Sequence, residues 1–174
     1  RFHYYEWTPQ KEMHLRRNGK AYEISPWGLS WDDENYYMVG YDSDAEMIKH
    51  FRVDKMLDII ITDQPRRGKD RFEKFDLANY AKKVFGMFSG EERTVKMLCE
   101  NNLAGAMIDR FGRDVMMHPS DERHFIVSAA VNVSPQFFGW LVALGKGVVI
   151  ESPEDVKEEF KEWVGEVMRE YENV

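Results

Sequence analysis

HFIVSAAVNVSPQFFGWLVALG, residues 124–145, decides how the second half of the chain folds. Phe125, Val127, Ala129, Val131 and Val133 recur at every second position, the period of a strand with one buried face. Ser134-Pro135 then supplies an N-cap followed by proline at the first helical position, opening a helix that Gly145 ends. Working outward, residues 94–99 predict a strand, and Asn102 a cap for a helix over 103–111 that Gly112 stops. Residues 114–118 predict a strand joined to the first by a Pro-Ser-Asp turn. Residues 148–151 predict another, and Ser152-Pro153 with Asp155 starts a terminal helix through Tyr171. The order β-α-β-β-α-β plus a helix predicts a ferredoxin-like split βαβ domain.

The first half has a different rhythm. Short aromatic or apolar runs at residues 2–7, 13–17, 20–24, 28–31, 35–41, 48–53 and 56–62 are separated by turn residues. Asn18-Gly19 has the type I′ signature and predicts a hairpin between residues 13–17 and 20–24. Asp32-Asp33-Glu34 and Asp42-Ser43-Asp44 predict two acidic turns. This half is expected to be a small β-barrel or sandwich. Residues 63–74 carry Pro65, Gly68 and five basic side chains with no apolar period, and read as a linker. Asp76 is expected to cap a helix whose apolar face is Leu77, Tyr80, Ala81, Val84, Phe85 and Phe88. The expected organisation is α+β, with a β-domain over 1–62, linker and helix over 63–90, and the βαββαβ domain over 91–174.

Composition narrows the function. The 174 residues are 43 % hydrophobic, 14 % aromatic and 32 % charged, which excludes a disordered chain. The uncharged run 133–144 is interrupted by Ser134, Pro135, Gln136 and Gly139 and is too short to span a bilayer, so no membrane partner is expected. One cysteine, Cys99, excludes an intrachain disulfide and suits a reducing, cytoplasmic setting. The first residues show no basic-then-apolar pattern, so export is not expected; the chain opens without Met, and a longer parent protein is expected. Net charge is −7, with 13 basic against 14 acidic residues over 1–75 and 11 against 17 over 76–174. A duplex-DNA reader needs a strongly basic face. Any nucleic-acid contact should therefore be local and lie in the first half.

Catalytic chemistry finds little support. His3, His14, His50, His118 and His124 show no metal-ligand spacing, so neither a metal site nor a cofactor is expected. The Gly145-Lys146 pair lacks the spacing and hydroxyl residue of a phosphate loop. Cys99 falls inside an expected strand and reads as a small buried hydrophobe. No catalytic residues and no enzyme are expected.

More promising is the stretch 49–55, Lys-His-Phe-Arg-Val-Asp-Lys. At period two, Phe51 and Val53 face one side while His50, Arg52 and Asp54 face the other. A guanidinium and an imidazole fixed on one strand face make a compact anion site. A solvated face with an Arg52–Asp54 ion pair is the alternative. Among Tyr4, Tyr5, Trp7, Tyr22, Trp27, Trp31, Tyr36 and Tyr37 some must form the core, and others could stack on bases.

Ser25-Pro26-Trp27-Gly28-Leu29, then residues 35–41 (NYYMVGY), then His50-Phe51-Arg52-Val53-Asp54-Lys55 resemble the WYL domain of bacterial transcriptional regulators. The family's Trp-Tyr-Leu triplet falls on Tyr36-Tyr37-Met38, with its first and third positions substituted, and Trp27 stands where Tyr is usual. Residues 133–153, with Gln136-Phe137-Phe138-Gly139-Trp140-Leu141 and Ser152-Pro153, resemble the WCX extension that follows WYL domains. The resemblance implies an Sm-like barrel followed by the ferredoxin-like extension, and a winged helix-turn-helix beyond this chain that would contact duplex DNA. It implies a sensor for single-stranded nucleic acid or a nucleotide, with Ser25, Trp27, Tyr37, His50 and Arg52 lining the site. Lys55 is expected to add a polar contact.

Two readings follow. The first is the effector-sensing and dimerising part of a transcriptional regulator; the second is an assembly module without ligand that positions a DNA-binding domain. A homodimer is expected from the resemblance and from the apolar faces Phe137, Phe138, Trp140, Leu141 and Phe160, Trp163, Val164, Val167.

Overall fold

The computed structural model describes the chain except residues 33, 74–76, 89, 173 and 174, and the side chains of 77–79. The expected Asp76 cap and part of the Asp32–Glu34 turn lie outside the described residues. The architecture is α+β, with three antiparallel sheets and two compact units, Arg1–Ala81 and Lys82–Val174.

The first unit contains β1 (His3–Trp7), β2 (Met13–Leu15), β3 (Ile24–Asp32), β4 (Asn35–Asp42), β5 (Met47–Arg52) and β6 (Met56–Leu57). A short helix α1 (Lys69–Phe72) follows, then α2 (Leu77–Lys83), inside which the division between the units falls. The strands form two three-stranded sheets, β2-β1-β6 and β3-β4-β5, and among the described residues their ladders do not close into a barrel. The last strand was expected to run to residue 62. It stops at Leu57, where Asp58 turns to φ 51° and leaves Ile59, Ile60 and Ile61 exposed.

The expected hairpin at Asn18-Gly19 is corrected. Arg17, Asn18 and Gly19 do take positive φ (56°, 53° and 78°), as the dipeptide demands. However, β2 pairs with β1, through a turn in which the Thr8 N–H donates to Glu12 O at 2.9 Å. Residues 20–24 form no strand against β2; instead Tyr22 exchanges two backbone hydrogen bonds with Phe2, at 2.7 and 3.0 Å. All three β2 side chains are exposed, so no buried face fixes its partner from sequence.

Phe2, Tyr4, Tyr22, Met38 and Phe51 form the first unit's buried cluster. Phe51 meets Phe2, Tyr4 and Tyr22 edge-on at 5.1–5.3 Å, the geometry ring quadrupoles prefer. Trp7, Trp31 and Tyr36 stay more than half exposed. The aromatic excess therefore divides between core and surface.

In the second unit, β7 (Glu91–Glu100), α3 (Ala104–Phe111), β8 (Met116–Pro119), β9 (His124–Val133), α4 (Pro135–Ala143), β10 (Val148–Ser152) and α5 (Glu154–Glu172) follow the expected order. The sheet order is β10-β7-β9-β8. Val95, Met97 and Cys99 of β7 lie opposite Ala129, Val127 and Phe125 of β9, and all six are buried. Ser134 Oγ accepts the Phe137 N–H at 3.3 Å, the expected cap. Asn102 does not cap α3. A 3-10 turn over Asn101–Leu103 precedes the helix and places Leu103 at the cap position. Phe137, Phe138 and Leu141 are buried, and Phe138 packs on Phe160 and Trp163 at 5.4 and 5.8 Å. Much of the apolar surface assigned above to a dimer contact is therefore covered within its own unit.

Candidate ligand-binding face

The β3-β4-β5 sheet places the candidate residues by register. Arg52 lies directly opposite Tyr37, His50 opposite Val39, and Ile48 opposite Tyr41, which itself opposes Ser25. Opposed residues share a face, so Ser25, Tyr37, His50 and Arg52 lie on one side. Met38 and Phe51 point to the other and enter the core. Trp27 sits at a bulge between Pro26 and Gly28, which takes it out of strict alternation. Lys55 is not on the sheet. It lies in the 3-10 turn Val53–Lys55 that follows β5, where its charge acts on Asp54.

Ser25, Trp27, His50 and Arg52 each have a partner within the first unit. The Arg52 guanidinium grips Asp54 with two hydrogen bonds, at 2.9 and 3.1 Å. That bond holds the Asp54 carboxyl below the usual carboxylate range and raises the guanidinium above its ordinary value. The fork is two-thirds shielded and keeps further N–H donors beyond the two that Asp54 uses. Its backbone N–H donates to Tyr4 Oη at 3.0 Å, tying β5 to β1. His50 stacks on Tyr80, 5.4 Å between ring centres, and burial pushes the Tyr80 phenol up to about 12.

At the β3 end, Ser25 Oγ accepts the Arg67 N–H at 2.9 Å, and the Trp27 indole N–H donates to Arg67 O at 2.8 Å. The Arg66 guanidinium lies 4.3 Å over the indole, and Phe72 stacks on it at 5.1 Å, 11° from parallel. Arg66, Arg67, Phe72 and Tyr80 were not read from sequence as part of the site. The one local sign was Phe72, an apolar residue in a charged stretch. The expected linker 63–74 is thus partly folded onto β3.

Chemically, the face offers a guanidinium fork, an imidazole, a hydroxyl and two aromatic rings, the groups that meet phosphates and bases. Cys99 is fully buried in the second unit, with its thiol pushed up to about 11, and is no nucleophile. Among the described residues no group of three or more His, Cys, Asp or Glu could hold a metal ion. Among the described residues no helix is long and apolar enough to cross a membrane.

Residues 1–61 match the WYL domain and residues 91–168 the WCX domain. The chain is a WYL- and WCX-domain protein. Two solved structures are similar. One is proteasome accessory factor B/C (PafBC) of Arthrobacter aurescens, at 16 % identity and a TM-score of 0.41, matching 98 % of this chain and 25 % of that one. The other is a CRISPR Cas-related protein, at 16 % identity and a TM-score of 0.50, matching 99 % of this chain and 47 % of that one. At that identity the second likeness is one of fold. The chain spans a quarter to a half of the structures it matches. No curated protein matches it.

Proposed function

We propose that this chain is the sensing part of a bacterial transcriptional regulator, and that the β3-β4-β5 face binds single-stranded nucleic acid or a nucleotide. The observation that carries this reading is Arg52 opposed to Tyr37, with His50 on the same face two residues away. A phosphate would take the open side of the Arg52 fork, with His50 as a second donor. Ser25 and Lys55 would add polar contacts, and Trp27 or Tyr37 would carry a base. Catalysis plays no part in this reading, and neither does a cofactor. The domain limits are 1–62, 63–90 and 91–174, supported by the two family matches. We read the six strands as an interrupted Sm-like barrel and the βαββαβ unit as ferredoxin-like. The WCX unit would hold two copies together, and a DNA-binding domain outside this chain would contact duplex DNA. The setting is cytoplasmic.

The test is fluorescence anisotropy with a labelled single-stranded oligonucleotide at two salt concentrations. Arg52→Ala should lose a charge-assisted contact worth about 1.5–3 kcal/mol, or about 10- to 150-fold in affinity. The salt slope should be shallow, about 0.7 log units per decade of salt for each phosphate engaged. Equal affinity of both proteins would put the assembly-module reading ahead.

A further inference from the structure

The contacts of residues 66–72 are those of a ligand. The segment brings a flat ring onto the Trp27 indole, a carbonyl to its N–H, an amide to Ser25 Oγ and a cation over its π-face. Arg66 also donates to Pro26 O at 3.2 Å, a second tie to the same strand. Gly68 is the seat of this arrangement. At φ 78° it adopts a conformation glycine reaches without cost, and a Cβ there would lie 2.5 Å from the Tyr41 ring. The β3 partners stand some forty residues away in sequence, and Tyr41 on β4 adds a fourth point of contact. A segment serving only as a spacer has no need to satisfy a hydroxyl, an indole N–H and an indole face together.

We infer that residues Arg66–Phe72 form a strap that occupies the base-stacking end of the ligand face, with Phe72 standing in for a nucleobase on Trp27. The inference rests on the function proposed above and adds a named competitor to it. A single-stranded ligand engages Trp27 only after Phe72 leaves. A ligand without a base, such as inorganic phosphate, can reach Arg52 and leaves the strap in place.

The experiment uses the full chain and a fluorescein-labelled oligothymidylate of about ten nucleotides, within the span of known single-strand sites. Arg66→Ala/Phe72→Ala is compared with wild type, each with and without Arg52→Ala. A strap closed about nine-tenths of the time weakens apparent affinity about ten-fold, so the double variant should bind about ten-fold tighter. Arg52→Ala should weaken binding in both backgrounds. In wild type, tryptic cleavage after Arg66 and Arg67, followed by mass spectrometry, should accelerate with saturating oligothymidylate and stay unchanged with inorganic phosphate. A double variant that binds no tighter, while Arg52→Ala still weakens wild type, overturns the strap and leaves the ligand face standing. Oligonucleotide binding to none of the proteins overturns both. Where the double variant melts early, the cleavage rate in wild type decides, and slower cleavage with oligothymidylate overturns the strap.

Discussion

In the second unit, sixteen of the described residues form one continuous buried cluster, drawn from β7, β9, β10, three helices and Phe85 in the segment before β7. The first unit's cluster has five, four of them aromatic rings. What the first unit lacks in core it makes up with single polar ties, two between distant residues, Tyr4 to Arg52 and Arg67 to Ser25, and one across the β4–β5 turn, Lys49 to Asp42. A continuous apolar core resists partial opening, because one opened element exposes many others. A small core held by separate ties can open at one tie while the rest stays closed. Sensing surfaces are drawn from the less stable end of a structure for that reason. The proposed ligand face lies on the unit with the smaller buried cluster.

The largest expected effects come from removing a ring from each core. Phe137 is fully buried in the second unit and Phe51 nearly so in the first. Either ring replaced by alanine should cost about 3–5 kcal/mol. The consequences should differ in extent. Hydrogen exchange of Phe51→Ala should show lost protection across β3, β4 and β5, with β7 and β9 amides still slow. Phe137→Ala should open β7 and β9. Protection lost uniformly in both variants would break the comparison.

A smaller effect is expected at Asp42, which is buried at the β4–β5 turn. Its carboxylate accepts the Asp44 and Ala45 amides and pairs with Lys49 at 2.7 Å. Burial pushes this carboxyl up, but the Lys49 ammonium and the two amides outweigh it and hold it below the usual range. A folded value below the unfolded one means stability that is complete above about pH 4 and lost as pH falls through the folded value. Asp42→Ala should cost about 1.5–3 kcal/mol at neutral pH, by thermal melting. It should cost progressively less below pH 4. A penalty independent of pH would assign the turn's stability to its backbone.

The legibility of the sequence divides along the same line. Strict alternation over 124–133 and the Ser134-Pro135 cap are local signals, and the second unit follows them closely. Asn102 misled because a polar residue before a helix can equally sit in a 3-10 turn. In the first unit, local dihedrals were legible and partners were not. Asn18-Gly19 turned as its residue types require, yet β2 found β1, a choice its exposed side chains could not encode. The shared face of His50 and Arg52 followed from strand parity alone, and Tyr37 joined it through the tight β3–β4 and β4–β5 turns. Ser25, Trp27 and their partners on residues 66–72 are joined by contacts across some forty residues in a stretch with no period. Nothing local announces such contacts.

A β3-β4-β5 face that binds single-stranded nucleic acid, as proposed, should respond to it residue by residue. The most direct measurement is a two-dimensional NMR titration of the labelled chain with a short single-stranded oligonucleotide, reading backbone amides and the tryptophan indole N–H signals. Shifts should concentrate at Ser25, Tyr37, His50 and Arg52 and at the Trp27 indole, with the β7 and β9 amides unmoved. Shifts confined to the second unit, or none at saturating oligonucleotide, would contradict the proposal.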